Sequence, residues 1–147
     1  MRRPFAIAAV AGVVALAVVA SGLAAGTTAT VKTRHGKLGT YLVDSAGRTL
    51  YLFQKDKTTK SRCYDACAQG WPPLLTTGKP RASGRAKASL LGTTKRRDGT
   101  RQVTYKGHPL YYYTADTKAG DTKGQDVDAF GAEWYILAPS GNKIHGH

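Results

Sequence analysis

Residues 47–56 read Gly-Arg-Thr-Leu-Tyr-Leu-Phe-Gln-Lys-Asp, and residues 107–116 read Gly-His-Pro-Leu-Tyr-Tyr-Tyr-Thr-Ala-Asp. Five positions coincide at a constant offset of 60: Gly47 with Gly107, Leu50 with Leu110, Tyr51 with Tyr111, Phe53 with Tyr113, and Asp56 with Asp116. Such self-similarity is the first thing to look for, because it sets the architecture before any single element is assigned. The match extends outward. Leu38-Gly39-Thr40 precedes the first copy and Leu91-Gly92-Thr93 the second, while Trp71-Pro72-Pro73-Leu74 follows the first and Trp134-Tyr135-Ile136-Leu137 the second.

Each copy has the pattern of a β-hairpin. In the first, residues 40–43 are β-prone, residues 44–47 are turn-forming and residues 49–53 are β-prone again. In the second, residues 102–105 lead through Lys106-Gly107-His108-Pro109 into residues 110–113. Gly47 and Gly107 are placed to supply the positive φ of a tight turn. Strand alternation puts Tyr51 and Phe53 on one face, with Tyr111 and Tyr113 as their counterparts, and Leu50, Leu52, Leu110 and Tyr112 on the other. Further hairpins are expected across residues 96–99, joining residues 90–91 to 102–103, and across residues 139–142. Residues 61–70 lack alternation and are expected to hold a short helix capped by Ser61. Residues 78–88 read as the loop joining the units, and residues 116–128 as a second long loop, either ordered or mobile. The fold class expected is mainly β: a small single domain of two pseudo-equivalent β-hairpin repeats, with a short helix near the cysteines and long loops. Repeat one is assigned to residues 38–77 and repeat two to residues 89–138, within a domain spanning 38–144.

The N-terminal residues have a different texture. Arg2 and Arg3 precede an uncharged run of Ala, Val, Ile, Leu and Gly over residues 5–20, and small residues follow at 21–25. A basic start, a short apolar core and small residues at the end describe a secretory signal peptide, expected over residues 1–24 with cleavage after Ala24. A retained membrane anchor is the competing reading, since the apolar run approaches a spanning length. Residues 25–37 read as a flexible segment. No Cys lies near the expected cut, so lipid attachment there is not expected.

The chain carries 22 Lys and Arg against 9 Asp and Glu, a formal +13. Setting aside Arg2 and Arg3 leaves 20 basic residues and a balance of +11. The charge is spread out, with Lys95-Arg96-Arg97 the only run of three, and no zinc-finger spacing or helix-turn-helix pattern accompanies it. Nucleic acid is therefore not the expected partner. An exported basic protein meets other polyanions, so anionic cell-wall or membrane-surface polymers come forward.

Several features together resemble a known family. The pattern Tyr-x-aromatic-x-x-Asp occurs as Tyr51-Leu52-Phe53-Gln54-Lys55-Asp56 and as Tyr111-Tyr112-Tyr113-Thr114-Ala115-Asp116. Cys63-Tyr64-Asp65-Ala66-Cys67-Ala68 stands ahead of Trp71, and Gly120-Asp121-Thr122-Lys123-Gly124-Gln125 ahead of Trp134. This is similar to the bacterial secreted-repeat proteins, also described as predicted lipoproteins with the Tyr-x-(Phe/Trp/Tyr)-x-x-Asp motif, over residues 38–144. The resemblance implies export and a tandem unit but no activity. The chain departs from the lipoprotein members in lacking a lipobox Cys, which favours soluble secretion.

The candidate sites are few. Cys63 and Cys67 are the only cysteines, and in an exported protein they are expected to form a disulfide. The alternative is an extracytoplasmic thiol-redox or copper site, with two thiolates on one helical face and His108 as third ligand. Asp56 and Asp116 admit acid–base chemistry or a cation site, or a structural role as carboxylates that accept backbone N–H bonds at a strand-to-loop corner. Their repetition at one structural position favours the structural role. Tyr51, Phe53, Trp71, Tyr111, Tyr113 and Trp134 read as the core of a small domain ahead of a ligand platform. There is no Gly-x-Ser-x-Gly, phosphate loop or His-Glu-x-x-His. The expectation is a non-catalytic, exported envelope-associated or secreted module without a resident cofactor.

Overall fold

A computed structural model of the chain describes residues 26–146. The signal peptide expected over residues 1–24 lies outside the described residues. Nine strands and one short helix follow one another: β1 (Thr30–Gly36), β2 (Gly39–Asp44), β3 (Tyr51–Phe53), α1 (Ala66–Gly70), β4 (Arg81–Ala82), β5 (Leu91–Lys95), β6 (Arg101–Tyr105), β7 (His108–Pro109), β8 (Val127–Ala129) and β9 (Ala132–Ile136). A single 3-10 turn at Ala88–Leu90 leads into β5. The strands form three small sheets with orders β2-β1-β4, β3-β9-β8 and β5-β6-β7.

The mainly β class and the two repeats are present, but the repeats are not two separate hairpins. β2 and the segment after it close only briefly, through the Val43–Thr49 bridge and the Leu50 N–H donated to the Leu42 carbonyl. The next inner group of β2 is already taken, because the Leu42 N–H is donated to the Leu137 carbonyl at 3.0 Å. β3 therefore turns away and pairs antiparallel with β9, Tyr51 opposite Ile136 and Phe53 opposite Trp134. The second repeat mirrors this. The Val103 N–H is donated to the Leu74 carbonyl at 2.9 Å, and Tyr111 bridges Pro73. The tail of each repeat thus fills the sheet of the other. Pro72 and Pro73 lack N–H groups, so the first tail makes isolated bridges where the second forms a continuous strand.

The crossing is tightest at the centre. The Tyr51 N–H is donated to the Tyr111 carbonyl at 2.8 Å, and the Tyr111 N–H to the Tyr51 carbonyl at 3.0 Å. Equivalent residues meet each other, as they do across a twofold axis. On one side of this seam Leu50, Leu52 and Leu110 join Val31, Leu42, Leu74, Val103, Tyr105 and Leu137 in a mainly aliphatic core. On the other, Tyr51, Phe53 and Tyr111 join Trp71, Trp134 and the two cysteines. The expected alternation of leucine and aromatic faces is what separates the two cores.

Two readings need correction. Residues 25–37, read as a flexible segment, contain β1, which pairs with β2 from Val31 to Gly36. Its outward residues Lys32, Arg34 and His35 disguise it as a tail, while Val31 is wholly buried. Ser61 does not cap α1: the cap residue is Asp65, which makes no side-chain capping bond. Of the two readings of the polar run over residues 116–128, the ordered loop holds: it is a succession of turns that ends in β8. Gly47 and Gly107 have the expected positive φ, 85° and 78°.

Candidate functional site

The repeated Tyr-x-aromatic-x-x-Asp residues converge on the seam, and they do so crosswise. The Tyr51 hydroxyl donates to Asp116 Oδ2 at 2.6 Å, and the Tyr111 hydroxyl donates to Asp56 Oδ2 at 2.6 Å. The tyrosine of each repeat is held by the aspartate of the other. Each aspartate uses its remaining oxygen to close its own loop, Asp56 Oδ1 accepting the Arg62 N–H at 2.7 Å and Asp116 Oδ1 the Lys123 N–H at 2.9 Å. Each corner starts in the same way, with the Asp56 N–H donated to the Phe53 carbonyl and the Asp116 N–H to the Tyr113 carbonyl.

The aromatic partners repeat the exchange. Trp71 and Trp134 stack at 3.9 Å between ring centroids, 6° from parallel. Phe53 of repeat one covers Trp134 of repeat two at 4.0 Å, and Tyr113 of repeat two covers Trp71 of repeat one at 4.0 Å. Tyr51 and Tyr111 meet the edges of Trp71 and Trp134 at 5.4 Å and 5.1 Å. Offset-stacked and edge-on pairs of this kind each contribute about 0.5–1.5 kcal/mol beyond burial. Gly124 sits where a Cβ would fall 2.8 Å from both Trp71 and Tyr51, so the second loop needs glycine there to pass beside the stack.

A buried polar chain extends from the Asp56 corner. The Tyr111 hydroxyl and Ser61 Oγ lie 2.7 Å apart. Arg96 Nη1 donates to Ser61 Oγ at 3.0 Å and to Gln102 Oε1 at 2.8 Å, and Nη2 donates to the Cys63 carbonyl at 2.8 Å. Gln102 Nε2 passes the chain to the Leu110 carbonyl. Every buried side-chain nitrogen and oxygen among the described residues has a partner. Burial pushes the carboxyls of Asp56 and Asp116 above the usual carboxylate value, against the opposing pull of the tyrosine and backbone donors. Burial likewise holds the Tyr51 and Tyr111 phenols far above the ordinary tyrosine value, so neither ionises at physiological pH.

Cys63 and Cys67 are joined in a disulfide with Cα atoms 5.2 Å apart. The bridge spans the start of α1 and holds the loop whose Cys63 carbonyl receives Arg96. Both thiols are occupied, and among the described residues no group of three or more His, Cys, Asp or Glu side chains is arranged to hold a metal. His108 stands apart on β7, lining a hollow with Gln54, Asn142 and His145. The repeat-motif residues and the cysteines therefore form one framework, buried except at the half-buried Tyr113, and the carboxylates already have their donors from within the chain.

Sequence reasoning placed the aspartates at corners that accept backbone N–H bonds, which is where they stand, but missed that each also receives the other repeat's tyrosine. It also missed Arg96, the buried member of the Lys95-Arg96-Arg97 run. No local signal marks it, since Arg96 lies just past the end of β5 between the exposed Lys95 and Arg97.

A family model described as a secreted repeat of unknown function matches residues 32–75 and again residues 92–138. The two matches cover the two crossing units, and the first includes most of β1. No curated protein and no solved structure matches the chain.

Proposed function

The chain belongs to the family of secreted repeats of unknown function, and on that premise we propose that it is a non-catalytic extracytoplasmic module whose basic surface engages anionic envelope polymer. One observation carries the reading. Among the described Lys and Arg side chains only Arg96 is buried, whereas two of the acids, Asp56 and Asp116, are withdrawn into the seam. Folding thus removes negative charge from a surface that already has an excess of positive charge, and such a surface attracts polyanions. No helix among the described residues is long and apolar enough to cross a membrane. Cosedimentation with purified cell walls tests the proposal. Binding should be strong near 0.01 M salt and lost near 1 M, as the screening length falls from about 30 Å to about 3 Å. Binding that ignores salt, or no binding at low salt, refutes it. A copper or thiol-redox role would first require the Cys63–Cys67 bridge to open; recovery of the exported protein with two titratable thiols would favour that role instead.

A further inference from the structure

The tail of repeat one and the β5–β6 hairpin of repeat two leave a groove between them. Two hollows of about 460 Å³ each share Thr77 and Arg101 in their walls, making two stations of one groove. One station holds Leu75, which is 42% exposed and one of two large hydrophobic residues left open to solvent among the described residues, together with Thr100. The other holds Lys79 and Thr93. No acidic residue lines either station.

One acid stands beside the groove, Asp98, and its carboxylate is taken up by the N–H and hydroxyl of Thr100. Lys95 and Arg101 stand directly opposite one another in the β5–β6 register, so two cations share one face of the hairpin with Thr93. Like charges facing each other across strands are destabilising. The exposed side chains of Lys79, Lys95 and Arg101 find no carboxylate or other hydrogen-bond partner among the described residues. β5 is also an edge strand, paired on one side only by β6.

We infer that this groove binds an acidic polysaccharide. The apolar CH face of a pyranose ring lies against Leu75, the hydroxyls of Thr77 and Thr93 meet the ring hydroxyls, and the carboxylate is held by the planar fork of Arg101 with Lys79 and Lys95 beside it. An apolar station next to a cationic one fits a carboxylated sugar better than a bare phosphate chain, which has no ring for Leu75. This inference rests on the polyanion reading above and assigns that reading to one surface.

The test compares the exported chain with K79Q/R101Q and with K57Q/K60Q, which removes the same charge from an exposed loop elsewhere. Polygalacturonate, inorganic polyphosphate and neutral dextran serve as probes in binding titrations at low salt. The groove variant should lose about tenfold or more in affinity for polygalacturonate, the consequence of removing two charge-assisted contacts. The control variant should lose far less, and dextran should bind neither. An equal loss in both variants, with salt-sensitive binding retained, overturns the groove while leaving the general polyanion reading in place. Salt-insensitive or absent polygalacturonate binding by the parent chain overturns both. A groove-dependent preference for polyphosphate over polygalacturonate overturns the sugar assignment. Leu75→Ala should weaken polygalacturonate binding without altering polyphosphate binding, and failure to do so also rejects the ring contact.

Discussion

Between Asp56 and Trp71 the first repeat carries the Cys63–Cys67 bridge and the five-residue helix α1; between Asp116 and Trp134 the second carries no cysteine, a series of turns and the β8–β9 hairpin. Both loops nevertheless deliver the same parts to the seam: a backbone N–H to the aspartate, a polar group to the other repeat's tyrosine, and a tryptophan to the central stack. In the first loop the polar group is the Ser61 hydroxyl, supported by Arg96; in the second it is the Gly124 N–H, donated to the Tyr51 hydroxyl at 3.1 Å. The comparison separates what the repeat requires from what it tolerates. Tyrosine, the following aromatic, aspartate and tryptophan are required because each touches the opposite unit. The loop chemistry between them is free to differ.

The most severe way to break the comparison is to cut it. Because each tail completes the other repeat's sheet, residues 26–86 and 87–147 should each fail to unfold cooperatively when prepared alone and should regain β circular dichroism when mixed. A cooperative thermal transition in either half alone would show that the repeats are independent units that merely touch. Replacing one member of the stack comes next. Trp134→Ala should cost about 3–5 kcal/mol in chemical denaturation, the usual loss for a fully buried aromatic, and Trp71→Ala should cost a similar amount. A large inequality between them would place the stack's support in one repeat rather than across both.

The crossed tyrosine–aspartate bonds sharpen the comparison further. Tyr51→Phe and Tyr111→Phe each leave a buried carboxylate short of a donor, at a cost of up to about 3 kcal/mol. A double-mutant cycle should find coupling between Tyr51 and Asp116 and between Tyr111 and Asp56, and none between Tyr51 and Asp56. Coupling within a repeat would contradict the crossing. The pH dependence has a definite sign. Both carboxyls are raised by burial, so their contribution is full below the ordinary aspartate value and is lost as pH rises through the raised folded value. Asp56→Asn combined with Asp116→Asn should flatten that slope. Reducing the Cys63–Cys67 bridge is a milder change, about 2 kcal/mol on the chain-entropy account for so short a loop. It should destabilise without abolishing the fold, because Arg96 still holds the Cys63 carbonyl. A larger effect than Trp71→Ala would mean that the bridge, not the stack, organises the first loop.

Much of this was legible in the sequence, and what was missed has a common physical cause. The period-2 pattern of residues 50–53 and 110–113 predicts two faces, and the offset of 60 predicts two units; both follow from local periodicity. The crossing does not, because hydrogen bonding between Leu42 and Leu137, or between Val103 and Leu74, depends on partners far apart in the chain. Sequence-adjacent strands are the natural first pairing, and here the inner edge of β2 is occupied by a segment from the other repeat. Arg96 was hidden for a similar reason: within a basic run, nothing local distinguishes the arginine that turns inward onto Ser61 and Gln102 from the two that face solvent.

The last difference lies in the turns themselves. Arg48 follows Gly47 in the first repeat and His108 follows Gly107 in the second, so one turn carries a fixed charge and the other a titratable one. Arg48 lies over the Tyr112 ring at 4.4 Å. His108 is half-buried, and burial, with the nearby Lys106 cation adding to it, holds its imidazole below the usual histidine value. A depressed base contributes stability above its unfolded value, near 6.5, and loses it as pH falls through the folded value. Thermal unfolding between pH 8 and pH 5 should therefore show a shallow loss on acidification that His108→Asn removes, while Arg48→Gln leaves that slope unchanged. The slope is the smallest of these effects because the group is only partly withdrawn from water, and it runs opposite in sign to that of Asp56 and Asp116. If His108→Asn left the acid limb intact, the limb would belong to groups common to both repeats, and the turns would have to be counted among the equivalent parts of the two units.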